Sequence, residues 1–228
     1  MPAKIWRITI LSNQIRGQPL ERRALTLKEL RVAEAEGKDT HIEGYASVFD
    51  SWSETLGGEL PFREKVCKGA FAESIANDDI RALYNHDPNY VLGRNKAGTL
   101  ELIEDERGLY VKIKPPKAQW AKDLMQSIKR GDVDSMSFGF TVILDKWYSA
   151  EGADVRELIK VKLYDVSPVT FPAYPATECD VRSVYDTRKN QLAQEAKQAE
   201  QEAQKAVLAQ AQRQQKIDSL KKAIMEDN

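Results

Sequence analysis

Two histidines, His41 and His86, and two cysteines, Cys67 and Cys179, are the only imidazoles and thiols in this chain of 228 residues. Imidazole chemistry must therefore use one of two positions. His86 lies in Leu83-Tyr84-Asn85-His86-Asp87-Pro88, where an apolar strand runs into an Asp-Pro turn. A histidine at a strand end beside a loop is well placed to act as a general base, although an ordinary surface-turn histidine fits the same pattern. His41 opens a strand after the polar run Glu36–Thr40 and reads as structural. A hydroxyl nucleophile has two candidates in GDVDSMSFGF (131–140), Ser135 and Ser137. Strand alternation puts both on one face, with Met136, Phe138 and Phe140 on the other, and Gly139 permits close backbone approach. A nucleophile presented at a sheet edge and a pair of half-buried structural serines both fit this pattern. The segment is not a GxSxG elbow. Asp165 sits in the apolar run Leu163–Val166, where a carboxylate needs a partner to offset its desolvation. A neutral imidazole held through Nδ1–H is one such partner, and an outward-facing strand aspartate is the alternative. Neither cysteine has a second close ligand pair, which excludes CxxC-type zinc sites, and reduced thiols are expected rather than a disulfide.

The elements that must position these groups divide the chain into three regions. Residues 1–38 form an N-terminal arm, with a strand expected at Ile5–Leu11 and a helix-like, Leu-spaced stretch from Leu20 to Glu36. Residues 39–186 carry Gly, Pro and aromatic residues between short alternating runs, the signature of many short strands. Strands are expected at His41–Phe49, at a hairpin spanning Thr99–Ile113, at Ser137–Leu144 and at Leu158–Val166. Helices are expected at Gly69–Ala76 and at Ala118–Arg130, the latter stopped by Gly131. The Pro-rich segment after Ser167 is expected to leave the sheet as extended chain. Residues 187–228 hold no Gly, Pro or aromatic residue and form an Ala/Gln-rich helical tail. A heptad seam runs from Leu192 through Ala196, Ala199, Ala203 and Ala206 to Ile217, Leu220 and Ile224, weakened by Gln210 and Arg213.

Composition narrows the function classes. Lys+Arg 34 against Asp+Glu 35 leaves a formal charge of -1, which disfavours a globally basic nucleic-acid binder. No apolar run approaches the roughly 18–20 residues of a membrane span. The first residues, broken by Arg7, Thr9 and Asn13, do not read as a secretory signal. The expected class is α+β with a mostly antiparallel sheet or barrel.

Five segments occur in one order: GYASVFD (44–50), FREKVCKGAFAESI (62–75), ALYNHDPNYVLGR (82–94) with GTLELIEDERGLYVK (98–112), GDVDSMSFGF (131–140) and LYDVSPVTFPAYPAT (163–177). Together they resemble the prohead serine proteases of tailed bacteriophages, the peptidases of capsid maturation. The resemblance implies a herpesvirus-protease-like fold, a β-barrel-like core with peripheral helices. It implies His86 as base, Ser137 as nucleophile and Asp165 as the acidic third member, where the family more often has Glu; the shorter Asp needs its backbone nearer the imidazole. Arg94, close after the base, is a candidate helper at the oxyanion. The implied function is a serine endopeptidase, needing no cofactor or metal, that cleaves the major capsid protein and its scaffold segment and also itself. It would act inside the immature capsid in the cytoplasm of the infected bacterium, with no nucleic-acid or membrane partner; the heptad seam of the C-terminal helix fits self-association, and a lone solvated helix fits the same tail. The competing reading is a non-enzymatic assembly scaffold with a protease-like domain.

Overall fold

The computed structural model describes residues 7–10, 20–25, 29–34, 40–56, 61–150 and 153–172, and in the tail residues 189–190, 193, 196–198 and 200–216. In chain order the first strands are β1 (Arg7–Ile10), β2 (Glu21–Leu25), β3 (Arg31–Ala33), β4 (His41–Val48) and β5 (Phe62–Val66). Helix α1 (Ala72–Asn77), β6 (Arg81–Tyr84), β7 (Asp87–Arg94), β8 (Leu100–Glu104) and β9 (Gly108–Ile113) follow. Helix α2 (Gln119–Arg130) precedes the two long strands β10 (Ser135–Ala150) and β11 (Ala153–Val169).

The antiparallel pair β10–β11 is the spine. Along one edge of β10 lie β2 and then β1, both antiparallel. Along the far edge of β11 lie β5 and β6, both parallel to it, and β7 closes a hairpin with β6. A second sheet runs β3-β4-β9-β8. The fold is mixed α+β and mostly strand. No closed barrel forms: among the described residues the strands make up two sheets. Closure depends on long-range pairing that alternation along one strand does not encode.

Between the sheets sits one hydrophobic core. Met136, Phe138 and Phe140 of β10 meet Ile42 of β4, Leu109, Val111 and Ile113 of β9, and Phe71 ahead of α1. Phe71 and Phe138 pack edge to face at 5.4 Å. Each fully buried side chain of this size contributes about 1.5–3 kcal/mol. Helix α2 buries Ala121, Leu124 and Ile128, a one-face spacing, and stops at Gly131, whose φ of 80° suits the left-handed cap.

The helix-like reading of Leu20–Glu36 is overturned, because β2 and β3 occupy this stretch. The Leu spacing imitated a helix, but the deciding pattern is the two-residue period of Glu21 and Arg23. Both face a buried charge network. Arg156 of β11 bonds Glu21 (2.9 and 3.1 Å), Glu64 of β5 (2.9 Å) and Asp145 of β10 (2.8 Å). Arg23 adds bonds to Glu64 (2.8 Å) and Glu21 (2.7 Å), and Trp147 donates to Asp145 (3.0 Å). The sequel of Ser167 is also corrected, since Pro168 and Val169 remain in β11 opposite Met136 and Ser135. The Pro168 carbonyl accepts from the Asn85 N–H at 3.0 Å. A residue's N and C=O face the same neighbour, so the missing N–H falls where β6 has already ended.

The chain divides into two units, Met1–Ser183 and Val184–Asn228. In the second, residues 200–216 are helical with exposed side chains, including Val207 and Leu208. The Ile217–Ile224 end of the heptad seam lies outside the described residues. No described helix is long and apolar enough to cross a membrane.

The charge network yields a stability prediction. Burial raises the Glu21 carboxyl pKa, but Arg156 and Arg23 outweigh it and hold the group below its usual range. A depressed folded value means that the stabilisation is present above the ordinary glutamate pKa and is lost as pH falls through the folded one. Arg156→Ala leaves buried Asp145 without a cation and Glu21 and Glu64 with Arg23 alone, and it should cost about 3–5 kcal/mol in urea unfolding at neutral pH. The wild-type chain should lose stability on acidification below the glutamate range, and a flat profile there would contradict this account.

Candidate active site

In an antiparallel ladder, residues directly opposite each other project to the same side. The β10–β11 register pairs Ser137 with Ser167 and Gly139 with Asp165. Ser137, Asp165 and Ser167 thus share the face away from Phe138 and Phe140. Glycine at 139 leaves room for the carboxylate: a Cβ on it would lie 2.4 Å from Asp165 Oδ1, which would have to shift. The carboxylate occupies the space a side chain would fill. A register shift follows at once, from Gly139↔Asp165 to Phe140↔Leu163, and this local irregularity sits beside the site.

The imidazole arrives on the β6–β7 hairpin. Tyr84 pairs with Asp87, so Asn85 and His86 are the two central residues of the turn. Both have positive φ, 54° and 57°, as a type I′ turn demands. Asparagine adopts that region readily; histidine does so at some cost, which neighbouring contacts must offset. Those contacts come from the end of β11. The Asn85 N–H donates to the Pro168 carbonyl (3.0 Å), Asn85 Nδ2 donates to Thr170 Oγ1 (3.1 Å), and the Thr170 N–H donates to Asn85 Oδ1 (2.9 Å). Tyr84 and Thr170 hydroxyls are 2.8 Å apart. The turn is clamped to the strand that carries Asp165.

These placements bring three side chains into one chain of hydrogen bonds. The Ser137 hydroxyl donates to His86 Nε2 at 2.7 Å, and His86 Nδ1–H donates to Asp165 Oδ2 at 2.6 Å. The Ser167 hydroxyl donates to the same Oδ2 at 2.7 Å. With Nδ1–H held by the carboxylate, the Nε2 lone pair faces the serine, the tautomer a general base needs. Ser137 is fully buried, and the His86 and Asp165 side chains are about one-tenth exposed. In so dry a setting each of these polar contacts counts for more than in water. The arrangement can take a proton from Ser137 Oγ and stabilise the imidazolium that results.

The other candidates fall elsewhere. Ser135 is buried on β10 and donates to Asp134 (2.8 Å). His41 bonds Glu43 (2.8 Å) in the second sheet. Arg94 is held in two bonds of 2.7 Å by Asp79, which removes it as an oxyanion helper. Burial, reinforced by Glu157, raises the Cys67 thiol pKa, so it is not an activated nucleophile. Cys179 lies outside the described residues. Among the described residues no three His, Cys, Asp or Glu side chains converge as metal ligands. The reading that puts Ser137 at a sheet edge is corrected, because β10 has partners on both edges. Sequence reading missed Ser167, although its two-residue spacing from Asp165 signals a shared face. It also missed the Asn85–Thr170 clamp, which joins distant segments and has no local signature.

Comparison with known proteins adds independent findings. Residues 28–211 match the caudovirus prohead serine protease family. The chain is 33% identical over 141 residues to the prohead protease of Enterobacteria phage HK97, covering 60% of this chain and 58% of that one. It thus spans a little over half the length of that relative. Among solved structures, the bacteriophage T4 capsid assembly protease is similar at a TM-score of 0.42 and 13% identity, over 68% of this chain and 97% of that one.

The steric role of position 139 can be checked directly. Gly139→Ala should push Asp165 off its place and break the Nδ1–H bond to His86. The downfield Nδ1 proton resonance should vanish, and acylation of Ser137 by an activated aryl ester should slow roughly 10²-fold. An unchanged resonance and rate would show that the carboxylate does not need the space.

Proposed function

The chain belongs to the caudovirus prohead serine protease family, and from that premise we propose that it is an endopeptidase of capsid maturation acting through Ser137, His86 and Asp165. The observation that carries this reading is the unbroken hydrogen-bond chain from Ser137 Oγ through the imidazole to Asp165. All three residues lie inside the matched segment, 28–211.

Attack begins as His86 Nε2 takes the Ser137 proton and Oγ bonds to the scissile carbonyl carbon. The carbonyl π pair moves onto oxygen, giving a tetrahedral oxyanion. Asp165 holds Nδ1–H and stabilises the imidazolium. On collapse the C–N bond breaks and Nε2 returns the proton to the leaving amine. Water then repeats the sequence on the acyl-serine. Because Ser137 is fully buried, a substrate must displace its cover before attack.

The substrates proposed are the major capsid protein, its scaffold segment, and the chain itself. The name of its relative in Enterobacteria phage HK97, prohead protease, supports a prohead as the setting. Residues 39–186, together with the β2 strand that pairs with β10, are proposed as the catalytic unit. The tail from 187 is proposed as a tether for self-association or scaffold pairing, since its described helical residues expose their side chains.

Two experiments test this. Ser137→Ala should abolish cleavage of co-expressed capsid protein while the thermal midpoint stays within a few degrees, whereas Ser135→Ala should keep activity. Full activity in Ser137→Ala would overturn the proposal. A chain truncated after Asp186 should still cut a peptide but enter assembling shells less efficiently. Loss of peptide cleavage by that folded chain would assign the tail to the catalytic unit.

A further inference from the structure

The proposed chemistry needs hydrogen-bond donors at the oxyanion, and the strand bearing the proposed nucleophile offers few. Across Met136–Phe140, β10 is paired with β11 on one edge and β2 on the other. Its backbone N–H groups are already committed to two ladders, so the usual donors beside a nucleophile are spent.

On the β2 side, Ala24 pairs with Ser137 and Arg22 pairs with Gly139. Opposed residues share a face, so Arg22 lies on the face of Ser137 and Asp165, while Glu21 and Arg23 lie on the other. Their ion pairs with Arg156 and Glu64 fix which way β2 presents its side chains. A one-residue slip would expel that pair from its buried partners, so the network also fixes Arg22 on the reactive face. Arg22 is a diagonal neighbour of Ser137, a separation of about 7–8 Å that long side chains span.

The Arg22 guanidinium has no hydrogen-bond or ion-pair partner among the described residues, and its Nε is buried without an acceptor. Every other arginine on this part of β2 and β11 is paired: Arg23 with Glu64 and Glu21, Arg156 with three carboxylates. A buried N–H is normally satisfied, and one left open calls for an explanation, of which a catalytic role is one. The base stands on the β11–β6 side of Ser137, and Arg22 stands on the opposite, β2 side. A carbonyl attacked by Oγ would develop its negative charge between them.

We propose that Arg22 is a catalytic residue that donates to the oxyanion formed when Ser137 attacks the scissile carbonyl. The inference rests on the endopeptidase reading above. The guanidinium gains a charged acceptor only in the tetrahedral state, so its effect falls on kcat and not on ground-state binding.

The test uses the full chain and a peptide substrate, with Ser137→Ala assayed alongside. Arg22→Gln should lower kcat roughly 10²–10³-fold with KM changed little. Arg22→Lys should retain more activity than Arg22→Gln, and free guanidinium ion should partly restore Arg22→Ala. Unfolding midpoints should match the parent chain, since no partner is lost. A kcat within threefold of the parent in Arg22→Gln would overturn the inference and leave the nucleophile assignment standing. A raised KM with unchanged kcat would make Arg22 a substrate-binding group and likewise overturn it. Failure of guanidinium to rescue a folded Arg22→Ala would do the same. Cleavage persisting in Ser137→Ala would overturn the endopeptidase reading and this inference together.

Discussion

The absence of one atom organises the site. With no Cβ at Gly139, the Asp165 carboxylate can lie across the ladder, and a Cβ there would meet Oδ1 at 2.4 Å. From that position Oδ2 reaches both His86 Nδ1 and the Ser167 hydroxyl. The same β10–β11 register puts Ser137 one alternation away on the same face. Ser137, Asp165 and the space between them are thus set by a single strand pairing, and His86 is brought to them by a turn clamped to the same strand.

Rigidity on the opposite face supports this arrangement. The network of Glu21, Arg23, Glu64, Asp145 and Arg156 ties four strands together with charges almost fully withdrawn from water. Buried ion pairs of this kind add little net stability over apolar packing, but breaking one is costly, so they specify register. Register is what the site needs. A slip of β2 or β10 by one residue would exchange the core and reactive faces. The strain of His86 at positive φ belongs to the same economy, being held by Asn85, Thr170 and Pro168.

Much of the site was legible in the sequence because its pieces are locally patterned. Alternation in SMSFGF separates the serines from the apolar residues, and the apolar run around Asp165 announces a carboxylate that needs a partner. The scarcity of histidine left His86 and His41 as the only bases, and the ordered motifs chose between them. The β8–β9 hairpin and both helices were legible by the same periodicities. What failed was non-local. The stretch from Leu20 to Glu36 looked helical from its leucines, and only the distant Glu64 and Arg156 explain why Glu21 and Arg23 alternate instead. Arg22 gains its place from that pairing and has no signal of its own. That the described strands form no closed barrel was not legible either, because closure depends on which edges meet.

The central claim is that Ser137 is the hydroxyl made nucleophilic by His86. The most direct measurement is peptide mapping by mass spectrometry after reaction with a serine-directed phosphonylating reagent. The account predicts one phosphonyl group, located on Ser137 by fragment ions of its peptide, with labelling lost in the His86→Ala chain. A label on Ser135 or Ser167, or labelling of Ser137 that persists undiminished without His86, would contradict it.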